Sequence, residues 1–162
     1  GLHHCINRTE EMMAAHGWRE WPEFFPVAFH RVSERRRAPV MENDDFRILA
    51  WPVDHFVPTI GLRIENKVTG HILAYSCDTA PTPSLLELAD GADILLHEAA
   101  GPPPGHSTAR QAGEMAAKVG AKSLYLIHYQ VWNTDPSVLV PQAQEVYTGP
   151  VTLCKDYDEF EF

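Results

Sequence analysis

A chain of 162 residues, 44% apolar and 22% charged, has the length and composition of one globular domain with its own core. Its net charge of −9 argues against an affinity built on neutralising many phosphates, so a broad nucleic-acid surface is not expected. No apolar run approaches the about 18 residues of a membrane span, and no basic segment leads into an apolar one, so neither a membrane helix nor a leader is expected. Cys5, Cys77 and Cys154 form no C-x-x-C pair. That disfavours a zinc ribbon or a disulfide scaffold and points to the reducing cytoplasm.

In chain order, Thr9 reads as the cap of a helix running from Asn7 to His16, with Gly17 as its stop. Trp18 to Pro26, with its aromatics and two prolines, reads as a packed connection. Val27 to Val32 alternates as a strand, and the basic run Arg35-Arg36-Arg37 as a solvated loop. Asn43-Asp44-Asp45 is a turn. Strands are expected over 46–51 and 59–65, and Asn66 to Gly70 as a hairpin turn into a strand over 72–77. The pattern then changes. A short helix over 84–89 precedes a buried strand over 93–97. Pro102-Pro103-Pro104-Gly105 continues neither element. A helix over 107–119 has Ala109, Ala112, Met115, Ala116 and Val119 at core spacing and ends at Gly120. A strand over 123–127 follows, then a helix begun by Asp135-Pro136, and short strands over 151–154 and 160–162. Hairpins first and β-α-β units later predict an α/β or α+β layered domain with a mixed sheet.

The chemistry gathers at the strand ends. His55, His97 and His128 each close an apolar run, and Asp78 closes Ile72-Leu73-Ala74-Tyr75 within Ser76-Cys77-Asp78-Thr79. Each alone is ordinary: a strand-end His is more often a hydrogen-bonded structural residue, and an Asp there a turn former. Together they are three residues of metal-ligand type, His55, Asp78 and His128, at three strand ends, a donor set that suits zinc or a similar divalent ion. Glu98, next to His97, is placed to hold a ligand or catalytic His through its second ring nitrogen. His106 lies in a Gly-His-Ser loop, with Arg110 one helical turn on. A His and an Arg at a helix start make a site for an anionic oxygen.

Six stretches, in order, resemble the metallo-β-lactamase-fold hydrolases, and within them the ribonuclease Z-like branch. They are Trp51-Pro52-Val53-Asp54-His55, Gly61-Leu62-Arg63-Ile64-Glu65, Ser76-Cys77-Asp78-Thr79, His97-Glu98-Ala99, Gly105 to Ala112, and Leu126-Ile127-His128. The Gly-His-Ser-x-x-Arg-Gln-Ala stretch is the most specific. The resemblance covers nearly the whole chain and implies an αββα sandwich, of which residues 1–162 form the C-terminal portion as a single domain. It implies a two-zinc site, with manganese or iron as alternatives, in which Asp78 bridges, His55 binds one metal and His128 the other. A metal-bound hydroxide would attack phosphorus or a carbonyl carbon, His106 would give the leaving oxygen its proton, Glu98 would orient a His, and Arg110 would contact a phosphate.

Two departures from the family pattern shape the expectation. The H-x-H-x-D-H motif, which supplies most remaining ligands, is absent and is expected upstream of this chain. The chain alone is therefore expected to bind metal weakly and to expose apolar surface unless the missing half, or a second copy in a homo-oligomer, covers it. The span from His55 to Asp78 leaves room only for a hairpin, where many tRNA-processing relatives carry a long arm. With the charge of −9, this favours a small phosphodiester over RNA. The competing readings are another ester hydrolase of the same fold, acting on lactones or aryl sulfates, and a non-catalytic binding or oligomerising module.

Overall fold

Side-chain pattern and turn chemistry account for most of the elements that follow. The structure is a computed structural model, and it describes Arg8, residues 11–15 and residues 30–162. The chain divides into two units, Gly1–Arg31 and Val32–Phe162, each taken here by itself. In the first, Arg8 and residues 11–15 are helical. Arg8 Nη1 lies 3.0 Å from Glu11 Oε2, an exposed pair worth a few tenths of a kcal/mol. The expected cap Thr9, the stop Gly17, the aromatic connection and residues 27–29 of the first expected strand lie outside the described residues. Residues 30–32, where that strand should end, have no regular structure.

The second unit is a mixed sheet in the chain order β1 to β7. Strand β1 (Ala38–Glu42) pairs antiparallel with β2 (Phe46–Val53). The sequence reading misses β1 because it is an edge strand, exposed beyond Ala38, carrying Pro39 and an irregular register there, as edge strands tolerate. The Asn43 side chain makes the intervening turn, its Oδ1 accepting from the N–H groups of Asp45 and Phe46 at 3.0 and 2.7 Å. Strand β3 (Thr59–Asn66) continues antiparallel. Asn66 Oδ1 then accepts from Val68 and Thr69 N–H, Gly70 takes a positive φ of 78°, and β4 (Ile72–Tyr75) returns.

From β4 onward the pairing is parallel, so helical crossovers are needed. Helix α1 (Pro83–Leu88) precedes β5 (Ile94–Glu98), and α2 (Ala109–Val119) precedes β6 (Ser123–Ile127). A 3-10 turn (Pro136–Val138) capped by Asp135 leads into α3 (Leu139–Gln144) and β7 (Val151–Leu153). Helix α2 begins with a capping box: the Thr108 side chain accepts from Gln111 N–H while the Gln111 side chain accepts from Thr108 N–H, satisfying two donors that a helix start leaves open. Gly120, at φ 66°, closes it.

Register places Leu49, Arg63, Ala74, Leu95, Leu124 and Val151 in one row across six strands. Leu49, Ala74, Leu95 and Leu124 join Leu85, Leu88, Ala112, Met115 and Ala116 of α1 and α2 in the core. The architecture is thus the expected α/β layering of helices on a mixed sheet. On the opposite face Leu62, Tyr75, Leu96 and Tyr125 share a row and are half-buried. The C-terminal residues lie along it: the Phe160 ring meets Tyr125 at 4.8 Å, Phe162 meets Phe46 at 6.3 Å, and Asn66 Nδ2 donates to Phe162 O at 2.7 Å. Residues 160–162 are therefore not the strand expected from their alternation. Two aromatic rings, rather than a backbone ladder, fix them.

Gly113 sets the approach of α2 to α3. A Cβ there would come within 2.5 Å of Ala143 O and 3.0 Å of Ala143 Cα, both backbone atoms. On an open helix Gly→Ala stabilises by about 1 kcal/mol. Here Gly113→Ala should destabilise instead, by about 1–3 kcal/mol of overpacking. Urea denaturation of the two proteins checks the sign.

Candidate metal centre

The parallel half of the sheet brings three chain segments to one edge. Strand β4 ends at Tyr75, β5 at Glu98 and β6 at Ile127, and their partners in register run the same way. Just past β4, Cys77 adopts a φ of 54°, and just past β6 His128 adopts 50°. Left-handed backbone at a residue with a Cβ costs about 1–2 kcal/mol. Such strain persists where surrounding structure over-determines it, often at functional sites. Both residues stand at the turns that deliver Asp78 and His128.

Asp78, His106 and His128 each offer a ligand atom within 4.8 Å of the others. Asp78 Oδ2 is 3.4 Å from His128 Nε2, and the His106 and His128 rings stack with centroids 5.4 Å apart. His55 adjoins this group, its ring 4.9 Å from that of His106. One carboxylate and two imidazoles at such spacing are a donor set that fits a zinc-like ion. His55 was expected as a ligand and His106 as a proton donor, yet it is His106 whose ring atom falls within the tightest group.

Hydrogen bonds at Nδ1 orient both rings. His55 Nδ1 is 2.8 Å from Gly105 O. A carbonyl only accepts, so this nitrogen carries the proton and Nε2 carries the lone pair, the arrangement usual in a metal-ligating His. His106 Nδ1 is 3.0 Å from Glu98 Oε1, which likewise leaves Nε2 free of the carboxylate. Gly105, at φ 79°, has no room for a side chain: a Cβ would lie 3.0 Å from His55 Nδ1 and 3.1 Å from the Phe56 ring.

Glu98 is fully buried, and its carboxylate meets only donors. Oε1 accepts from Thr79 N–H at 2.9 Å and Ser107 N–H at 3.1 Å as well as from His106, and Oε2 accepts from Ala100 N–H at 2.9 Å. Buried serines complete the network: Glu98 N–H donates to Ser76 Oγ, and Ser107 Oγ donates to Thr79 O. The sequence reading passed over Ser76, Thr79 and Ser107. Their signal was present, Ser76 and Thr79 flanking Cys77-Asp78 and Ser107 following His106, but adjacency does not show which carboxylate they surround.

Arg110 is held by two carboxylates. Its guanidinium pairs with Glu145, beyond α3, and with Glu114 at 3.5 Å. A cavity of about 480 Å³ opens beside His128, with Tyr129, Val131, Cys154 and Lys155 in its wall. His97 is buried, and its Nδ1 lies 2.8 Å from Glu98 O. Burial pushes its imidazole below the ordinary histidine value.

Residues 3–129 match the beta-lactamase superfamily domain. The chain belongs to that superfamily. Among its relatives, the ribonuclease Z of Myxococcus xanthus is 41% identical over 54% of this chain and 31% of its own length. The ribonuclease Z of Methanothermobacter thermautotrophicus is 38% identical over 82% of this chain and 61% of its own. These relatives place the chain in the ribonuclease Z-like branch, and it spans less than two thirds of either one. The crystal structure of the metallo-beta-lactamase fold protein YhfI from Bacillus subtilis superposes with a TM-score of 0.66 at 25% identity, over 75% of this chain and 51% of that one. Among the described residues, no helix is long and apolar enough to cross a membrane.

Two predictions follow from the buried groups. Glu98→Gln puts an NH₂ where an oxygen accepted, so at least one of four donors loses its acceptor. It should cost about 1–3 kcal/mol in stability and weaken zinc binding by about 10–100-fold, measured by denaturation and by competition with a chelating dye. Unchanged zinc affinity would remove Glu98 from the site. For His97 the folded imidazole binds its proton more weakly than the unfolded one. The stability it contributes is complete above the unfolded value of about 6.5 and falls as pH drops below it, by at most about 1.4 kcal/mol per pH unit. Between pH 7 and pH 5, His97→Asn should therefore lose less stability than the wild type in parallel urea titrations.

Proposed function

We propose that this chain carries the second half of a metal-dependent phosphodiester hydrolase site. The observation that carries the reading is the convergence of Asp78 and His128, just past the ends of parallel strands, with His106 from the loop before α2, whose far nitrogen meets a buried carboxylate. Asp78, His55 and His128 hold the metal, zinc by the chemistry of the donor set. A divalent ion there supplies positive charge beside the reacting phosphorus and activates water.

The remaining work falls to the chain's own groups. His106 Nε2 is the proton donor to the leaving oxygen, because Glu98 fixes its ring and leaves that nitrogen facing the cluster. Arg110 is the phosphate contact. Its present partners, Glu114 and Glu145, form half-exposed ion pairs worth at most about 1 kcal/mol, so exchanging one for a phosphate costs little. A phosphodiester substrate is supported by the two ribonuclease Z relatives. A small one is favoured by the net charge of −9 and by the span between His55 and Asp78, which is filled by β3, its tight turn and β4.

The test is hydrolysis of bis-p-nitrophenyl phosphate by the natural full-length protein loaded with zinc. Cleavage is expected, and its absence at any zinc concentration sinks the phosphodiesterase reading. His106→Ala should lower kcat by about 10²–10⁴-fold while the zinc content, read by elemental analysis, stays the same. Loss of zinc would make His106 a ligand instead.

A further inference from the structure

Phe56 is an exposed aromatic beside the cluster, and it is not among the residues of the core. The residue is 68% exposed, although it directly follows His55. It is nevertheless held in place. The ring centroid lies 5.1 Å from that of His55 and 6.3 Å, edge to face, from that of His106. The Gly105 backbone lies under it so closely that a Cβ there would meet ring atoms at 3.1 and 3.3 Å. One side is thus packed on the loop that carries His106, while the rest stands open to solvent. Burying such a ring would have released apolar surface from water. Here it is fixed and left open beside polar, proton-bearing groups.

We propose that Phe56 is a positioning residue that stacks the nucleobase of a nucleotide substrate. The inference rests on the phosphodiesterase reading above. The substituent on the leaving oxygen must lie beside His106, and Phe56 offers an aromatic surface there. Every nucleobase offers a π-face, so an isolated aromatic platform favours nucleotides over aliphatic phosphoesters without choosing among bases. That suits a site with no base-reading polar group on Phe56 or its neighbour Val57.

The test is calorimetric binding of three ligands to the zinc-loaded, natural full-length protein: adenosine 5′-monophosphate, phenyl phosphate and ribose 5-phosphate. The nucleotide should bind about tenfold more tightly than ribose 5-phosphate, within the range for a base on an aromatic ring. Phe56→Ala should abolish that advantage and leave ribose 5-phosphate binding and the melting temperature unchanged, and Phe56→Trp should restore it. A loss confined to phenyl phosphate assigns the platform to aryl esters and overturns the nucleobase proposal. So does an equal loss for all three ligands, or no change for any. Failure of the wild type to bind any of them defeats the phosphodiesterase reading itself, a result distinct from failure at Phe56.

Discussion

The site depends on one buried carboxylate. Removing Glu98 from water costs several kcal/mol, and that cost is met only if the charge finds enough donors. It finds four, and they come from three different segments. Thr79 N–H fixes the turn after β4 that carries Asp78. Ser107 N–H and the His106 ring fix the loop before α2. Ala100 N–H fixes the exit of β5 itself. A group that demands this many partners locks the backbone that supplies them, and the functional side chains are set by that backbone. The same demand explains why Ser76, Thr79 and Ser107 are wholly buried: each closes a hydrogen bond that the buried carboxylate or its turns would leave open.

The network works only because the sheet changes direction of pairing at β4. Antiparallel neighbours put successive strand ends at opposite edges, whereas β4, β5 and β6 present their C-terminal ends together. The two strained residues, Cys77 and His128, occur at that edge. Their backbones leave the strand sharply enough to turn Asp78 and His128 toward a common point. The strain is sustained by paired strands behind them and by Glu98 between them, so rigidity in the sheet is what makes an unfavourable turn usable.

Much of this was legible in the sequence, and the reasons for success and failure are physical. Strands β2 to β6 were readable because apolar runs stop at polar residues, and α2 because Ala109, Ala112, Met115, Ala116 and Val119 fall at core spacing before Gly120. Strand β1 was not, because an exposed edge with a proline carries no alternation. The tail was misread because Phe160 and Phe162 alternate like a strand, while their rings bind other rings. At the candidate site, strand-end position singled out His55, Asp78 and His128 and the Gly-His-Ser loop singled out His106, and the structure brings Asp78, His106 and His128 together with His55 beside them. What spacing along the chain could not convey is distance across it: that His106 sits nearer to Asp78 and His128 than a loop residue suggests, that Arg110 is engaged by Glu145, and that Glu98 gathers donors from both sides.

The different roles proposed for His55 and His106 turn on what holds each Nδ1. A neutral carbonyl, Gly105 O, holds His55, and a carboxylate, Glu98, holds His106. A carbonyl fixes a neutral ring with its lone pair on Nε2, which is what a metal needs from a ligand. A carboxylate partner gives a ring that accepts and releases a proton without leaving its place, which is what a leaving group needs. The two histidines meet through Gly105, whose carbonyl orients one and whose chain leads directly into the other. Its φ of 79° and the missing Cβ let both rings approach within 4.9 Å. Any side chain at that position would force the two rings apart, so the glycine is as much a part of the candidate site as the groups it brings together.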